Sequence, residues 1–256
     1  MNRILFERDE IVGGVAMFGG ERAAHVLSVL HGEVGQTLKT GEVDGPIGTS
    51  VITDIRLPSS GVADPESPDL QVTVACTHAA RSIAPWADLI LAPPRPRVMK
   101  RLLPQLAALG VGRIVLVGAK KVEKDFWGAT LLKPENYRPL LVDGLMQAGT
   151  SVLPTLETRR AFRRFVADEL DAQFPTACRI VAHPYAAAGG TPSVPAATPG
   201  ARPLLAIGPE GGWTDDEVAL LEEHGFVRYS LGARILRTDT ATVAVLAQLM
   251  KEFDPC

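Results

Sequence analysis

The stretch that decides the fold is Leu204-Leu205-Ala206-Ile207-Gly208-Pro209-Glu210-Gly211-Gly212-Trp213-Thr214. Its four leading apolar residues read as a short buried strand, and the Gly/Pro run that follows cannot continue it. Thr214-Asp215-Asp216-Glu217 then has the spacing of a capping box, with Thr214 as the cap and Glu217 reaching back to it, so a helix starts there. Its acidic first turn suits the positive end of a helix dipole, and Gly225 is its expected stop. A second segment repeats the design: Ser230-Leu231-Gly232-Ala233-Arg234-Ile235-Leu236-Arg237-Thr238-Asp239-Thr240-Ala241. Glycines at such turns permit positive φ and let a ligand approach the backbone closely. Two loops of this kind can form one pocket at the ends of neighbouring strands, where open α/β sheets bind ligands. Arg234 and Arg237 would give that pocket a cationic rim. Either loop taken alone reads equally well as an ordinary turn with solvated arginines.

Upstream of this stretch, apolar runs at 88–92, 113–117, 179–182 and 204–207 alternate with helical patterns at 98–109, 134–146 and 161–173. That alternation predicts a parallel α/β sheet. The Ala/Gly/Pro-rich stretch 186–202 reads as a surface loop. A last helix over 240–253 is apolar at Val243, Val245, Leu246, Leu249 and Met250, a face suited to the core or to a partner chain. Residues 1–76 are different in kind. Short strand-like runs at Ile4-Leu5-Phe6, 15–18, 37–39, 49–53 and 70–74 are separated by turn residues, with one short helix at 21–31. Close spacing of short strands predicts a small β-barrel, with 58–69 as a Pro/Ser/Asp-rich loop or insertion.

Composition sets limits. The 256 residues are 46% apolar and 5% aromatic, enough for one large or two modest domains with a core built mainly from Ala, Val, Leu and Ile. No apolar run is long enough to span a bilayer, and no signal-peptide pattern opens the chain, so no membrane partner is expected. Cys76, Cys178 and Cys256 are scattered and form no Cys/His cluster of metal-binding spacing. That predicts no metal and a reducing, cytoplasmic setting. No GxxxxGK[ST] loop and no GxGxxG turn after a strand is present. The net charge is −3, but its distribution is uneven: 5 basic and 11 acidic residues over 1–75, against 10 basic and 3 acidic over 95–138. Arg159, Arg160, Arg163 and Arg164 form a second basic cluster. Phosphate contacts need cations gathered on one face rather than a basic total. The same residues also read as ordinary helix surface.

The pair GPEGG and LGxRILRxxTA resembles the ribosomal-RNA uridine N3-methyltransferases of the SPOUT class (the RsmE-like family). Weaker likeness runs through the whole chain: Met1-Asn2-Arg3-Ile4-Leu5-Phe6, His25-Val26-Leu27, Gly35-Gln36-Thr37-Leu38, Leu109-Gly110-Val111, and Gln147-Ala148-Gly149 with Pro154. Ser28, His31 and Thr150 stand where that family has arginines, and Asp239 stands where it has Glu. The resemblance implies a PUA-like β-barrel over 1–76 that binds RNA, and a SPOUT methyltransferase domain over 77–256 with a C-terminal trefoil knot, a threading that sequence physics alone does not predict. It implies a homodimer acting on ribosomal RNA or the small ribosomal subunit, with S-adenosylmethionine (SAM) as cofactor.

Within that resemblance the cofactor residues are His183, Pro184, Ile207, Gly208, Pro209, Glu210, Gly211, Gly212, Leu231, Gly232, Ile235, Leu236 and Thr238. Backbone groups and small residues suit a bent, buried nucleoside. Ile207, Leu231, Ile235 and Leu236 would sandwich the adenine. Arg234 and Arg237 are the candidates for stabilising charge that develops on a deprotonated imide, and Arg3 for handling the target. Glu210 reads either as a base or as a loop carboxylate satisfied by amides. His183 reads either as a pocket residue or as a structural strand-end histidine. Two other functions stay open on the residues: transfer to another base or to a ribose 2′-hydroxyl, and an RNA-binding or ribosome-assembly module without catalysis.

Overall fold

The computed structural model describes residues 2–175, 177–184 and 202–253. The loop expected at 186–202 lies outside these apart from Arg202, as does Cys256. The chain divides into two compact units, Met1–Ile83 with Leu145–Leu153, and Ala84–Gly144 with Pro154–Cys256. The division expected at 76/77 falls inside a strand, and a piece of chain some sixty residues further on is grouped with the N-terminal unit.

The N-terminal unit contains β1 (Ile4–Phe6), β2 (Ile11–Val12), β3 (Val15–Phe18), α1 (Gly20–Ser28), β4 (Thr37–Glu42), β5 (Ile47–Arg56) and β6 (Gln71–Ala80). They form one six-stranded sheet of order β1-β4-β5-β6-β3-β2, antiparallel throughout except for the β1–β4 pair. Alternation along the strands buries one face: Phe6, Phe18, Leu38, Ile52, Val72 and Val74 pack with Ala23 and Val26 of α1. The helix is shorter than the expected 21–31, because the chain turns into the left-handed region at His31 (φ 51°).

This sheet also buries a polar chain. Thr40 Oγ1 lies 2.6 Å from Ser50 Oγ and 2.8 Å from His78 Nε2, and His78 Nδ1 is 3.7 Å from the Glu42 carboxylate. Burial pushes the His78 pKa below its ordinary value of 6.5, against the opposing pull of Glu42. The folded state therefore favours the neutral ring. Its stability contribution is complete above the unfolded pKa and is lost as pH falls through and below it. We expect the melting temperature of the wild type to fall more steeply than that of His78→Gln between about pH 7 and about pH 5. Parallel curves would remove the argument.

The second unit is built on a fully parallel sheet of β7 (Ala87–Leu91), β8 (Val111–Val117), β9 (Thr155–Arg159), β10 (Arg179–Ala182), β11 (Leu204–Ile207) and β12 (Val227–Tyr229). Its order is β12-β10-β11-β7-β8-β9. The central strands β7 and β11 are buried at every position, as strands covered on both faces must be. The two edge strands, β9 (TLETR) and β12 (VRY), have no fully buried residue and carry charged side chains. β9 lacks an apolar run, which is why sequence reading missed it while finding the four inner strands; a strand before the second glycine loop was expected, but without the bounds of β12.

The helices are α2 (Pro96–Ala108), α3 (Pro134–Ala148), α4 (Phe162–Arg164), α5 (Leu170–Gln173), α6 (Asp215–Glu223) and α7 (Thr238–Phe253). The single helix expected at 161–173 is α4 and α5 joined by a π-helical turn at Phe165–Glu169. Helix α7 starts two residues before the expected 240. Gly144 lets α3 pass close to α2, since a Cβ there would fall on the Pro104 carbonyl. The core joins Ile90, Val115, Phe162, Phe165, Leu170, Val181, Leu204 and Ala206 to Trp213, Val218 and Leu221. No helix among the described residues is long and apolar enough to cross a membrane.

Candidate functional site

Three parallel strands, β12, β10 and β11, end side by side in the second unit, and the chain leaving each of them bends around one cleft of about 480 Å³. The two glycine-bearing loops are not on neighbouring strands, as the sequence implied. β10 lies between β11 and β12, so the last residue of β10 and the two that follow it, 182–184, are a necessary third wall. All thirteen residues expected at the cofactor line this cleft: His183, Pro184, Ile207, Gly208, Pro209, Glu210, Gly211, Gly212, Leu231, Gly232, Ile235, Leu236 and Thr238. Arg234 is also on its wall. Arg237 is exposed and lies outside the lining, although it is three residues from Arg234. Sequence reading missed Ala182, Trp213, Asp215, Tyr229, Ala241 and Val245, which line it too. The last two were legible in principle, because α7 begins at Thr238 and presents Ala241 and Val245 at helical spacing.

The glycines have separate physical reasons. Gly212 (φ 69°) and Gly232 (φ 112°) occupy backbone conformations that side-chain-bearing residues rarely adopt. Gly208 has an ordinary φ, but a Cβ on it would come within 3.1 Å of the Trp213 indole and backbone nitrogen. Gly211 is crossed by the stem of Lys121, whose Nζ donates to the Gly211 carbonyl at 2.7 Å. Half of this glycine pattern therefore answers to packing behind the loop and half to its backbone path.

Hydrogen bonds fix the walls. The Gly212 N–H donates to Pro209 O at 2.8 Å, closing the first turn. Thr238 Oγ1 donates to Gly208 O at 3.3 Å and so ties the start of α7 to the β11 loop. Ser230 Oγ donates to Pro184 O at 3.0 Å and accepts the Gly232 N–H at 3.1 Å, joining the loops after β10 and β12. His183 takes part through its backbone N–H, which donates to Tyr229 O at 3.0 Å. Glu210 Oε1 accepts the Arg95 N–H at 3.2 Å, which makes it a strut between two loops.

The capping box is the firmest of these struts. Buried Glu217 accepts the Thr214 N–H on Oε2 (2.9 Å) and, across the sheet, the Lys120 N–H on Oε1 (2.7 Å). Sequence spacing gives the first contact but not the second. Removing the carboxylate leaves two partly buried backbone donors without this acceptor, so Glu217→Ala should lower folding stability by about 1–2 kcal/mol, read as a shift in the urea midpoint at unchanged slope. A shift no larger than that of a surface alanine substitution would contradict the strut.

The open side of the cleft is apolar. Leu231, Ile235 and Leu236 are 39%, 78% and 36% exposed. Exposed aliphatic side chains gathered on one loop beside a cleft are costly in water and mark a surface that meets a ligand or a partner. A cleft of this volume, walled by glycine-bearing backbone and by exposed aliphatic side chains, fits a nucleoside-sized ligand.

Arg3 belongs to the N-terminal unit. Its guanidinium donates to Thr40 O (2.7 Å), Gly48 O (2.9 Å) and Gly149 O (2.9 Å). It also lines a polar groove of about 710 Å³ with Asn2, Gln36, Thr37 and Lys39.

Comparison with known proteins agrees with this architecture. A ribosomal RNA small subunit methyltransferase E from Treponema pallidum is 28% identical over 256 residues, covering 98% of this chain and 91% of its own length. A Legionella pneumophila protein described as a methyltransferase, solved with the bound cofactor SAM, superposes with a TM-score of 0.73 at 24% identity, covering 98% of this chain and 97% of its own. A ribosomal RNA small subunit methyltransferase E from Neisseria gonorrhoeae, bound to SAM, gives a TM-score of 0.72 at 19% identity, covering 99% and 98%. At these identities the structural likeness establishes a common fold. The model of the RNA methyltransferase domain matches residues 82–250, well over half of the sequence and including every residue of the cleft, and the chain therefore belongs to that RNA methyltransferase family.

Proposed function

We propose that this protein is a SAM-dependent methyltransferase that modifies N3 of a uridine in small-subunit ribosomal RNA. The observation that carries the reading is the convergence of the three loops on one nucleoside-sized cleft with Arg234 on its rim. Support also comes from relatives named as small-subunit ribosomal RNA methyltransferases along nearly their whole length, and from similar folds solved with SAM.

When bound, SAM supplies a methyl group on a sulfonium, already a good leaving group. This chain's residues bind, orient and neutralise. The backbone of 208–212 and 231–236 holds the polar parts of the nucleoside, and Ile207, Leu231, Ile235 and Leu236 take the adenine. Positioning of this kind accelerates a displacement greatly without covalent participation by the protein. The weakly acidic N3 proton of the uridine imide passes to solvent water before the nitrogen attacks. Arg234, and Arg237 with it, stabilise the resulting charge on the flanking carbonyl oxygens. Glu210 orients the loop through Arg95 rather than acting as the base.

The proposal extends to the finer architecture. Strand β11 lies between β7 and β10, and the chain then returns to the outer edge at β12, an order that supports the knotted crossing implied by the family resemblance. The exposed apolar loop at 231–236 supports pairing of two copies. The N-terminal unit is a PUA-like RNA-binding barrel, in which Arg3 and its groove handle the RNA. Work on the ribosome sets the enzyme in the cytoplasm.

The test is mass spectrometry of nucleosides from small-subunit RNA of a strain lacking the gene. Loss of 3-methyluridine, restored by the wild-type gene, is expected. Loss of a 2′-O-methyl nucleoside instead would move the acceptor to ribose. An unchanged nucleoside profile would overturn the proposal.

A further inference from the structure

The carboxyl edge of the parallel sheet continues beyond the cleft. After β8 the chain carries exposed Lys120, Lys121 and Lys124 and then the half-buried Trp127. Just past the end of β9 stands exposed Arg160, its guanidinium 5.7 Å from the centroid of the Trp127 ring. Both partners are held. Arg160 Nη2 donates to Trp127 O at 3.1 Å, and buried Phe126 meets the indole edge-on at 5.4 Å and 88°. The Arg160 backbone runs so close to Gly118 that a Cβ on that glycine would fall on the Arg160 carbonyl. An aromatic ring and a guanidinium fixed together at the surface are a prepared stacking surface rather than two mobile side chains.

The charges around it are unevenly used. Arg163 and Arg164 pair with Asp216 and Asp168, and Arg95 pairs with Glu123. The ammonium groups of Lys120 and Lys124 make no ion pair among the described residues. Lys121 reaches the cleft itself through Gly211 O. Three strand spacings separate the ends of β9 and β11, so platform and cleft are about 15 Å apart along one edge.

We propose that Trp127 and Arg160 form a stacking platform for an unpaired base of the RNA acceptor, with Lys120, Lys121 and Lys124 meeting the phosphates that lead from it to the cleft. The proposal rests on the reading that the acceptor is RNA. Unpaired bases lie on aromatic rings and guanidinium planes, and lysines neutralise the intervening backbone. A base held on the platform anchors the strand while its neighbour leaves the stack and enters the cleft.

The full chain contains three tryptophans, and Trp86 and Trp213 are only 5% and 6% exposed. Trp213 lines the cleft, so the fluorescence change assigned to Trp127 is the part of the quenching that the Trp127→Phe variant loses. The experiment titrates the wild type with a 15-nucleotide oligouridylate and, separately, with inorganic polyphosphate. Quenching by the RNA and none by polyphosphate is expected. Trp127→Ala should weaken oligouridylate binding about ten-fold, Arg160→Ala comparably, and Trp127→Phe much less, a base–aromatic stack being worth that much. SAM affinity, measured by calorimetry, serves as the control for folding. Equal RNA affinity in wild type and Trp127→Ala, or equal quenching by polyphosphate, would overturn the platform. If ribosomal RNA is methylated normally but binding ignores Trp127, the platform falls and the enzymatic reading stands. If oligouridylate binding depends on Trp127 while no methyl is transferred, the enzymatic reading falls and the platform stands.

Discussion

Gly212→Val should abolish SAM binding while leaving a folded protein. Gly212 sits at φ 69°, where a β-branched residue is strongly disfavoured, and no protein atom lies within 4 Å of its Cβ position. The substitution therefore has two effects. It strains the turn closed by the Gly212–Pro209 hydrogen bond, and it adds a branched side chain to a residue of the cleft wall. We expect SAM affinity to fall by at least about 100-fold, or roughly 3 kcal/mol, measured by calorimetry. Gly212→Ala separates the two effects: it keeps the backbone strain, at a cost of about 1 kcal/mol in stability, but adds only a methyl group. A folded Gly212→Val protein that binds SAM as the wild type does would mean that the cofactor lies elsewhere.

Arg234→Ala should lower kcat by about 10²–10³-fold, the loss typical of removing one donor from a site that stabilises developing negative charge. SAM affinity should change no more than a few-fold, since the backbone of the loops carries most cofactor contacts in the proposed mode. The structure separates the two arginines that sequence treated alike. Arg234 is on the cleft wall, and Arg237 is exposed outside the lining. Arg237→Ala should likewise spare cofactor binding and lower turnover, by less than Arg234→Ala. The diagnostic is single-turnover methyl transfer at saturating SAM and RNA. A rate within a few-fold of wild type for Arg234→Ala would remove its charge-stabilising role. A raised KM with unchanged kcat would make it a substrate-binding residue instead.

Much of this site was legible because its signals are local. A strand ending in Gly208-Pro209, the glycines of 208–212 and the capping box at Thr214 and Glu217 lie within fourteen residues. Each follows from backbone sterics and nearest-neighbour hydrogen bonds, which a linear sequence displays. The inner strands were equally plain, because burial on both faces demands apolar runs. What stayed hidden was set by contacts between distant residues. The edge strand β9 and the bounds of β12 are set by the strand beside each, not by their own mixed composition. The Lys120 N–H bond to Glu217 spans 97 residues, and Arg160 meets Trp127 across 33.

By itself, the sequence determined that two glycine turns end strands, that one of them starts a capped helix, and that cations accompany the second. Tertiary structure alone decided that β10 stands between those strands, that Gly208 is small for Trp213 and Gly211 for Lys121, and that Arg234 lines the cleft while Arg237 does not. The physical reason is the range of the interactions. Dihedral preference and capping act within a few residues of chain. Sheet order and packing at van der Waals distance depend on which remote segments the hydrophobic effect brings together.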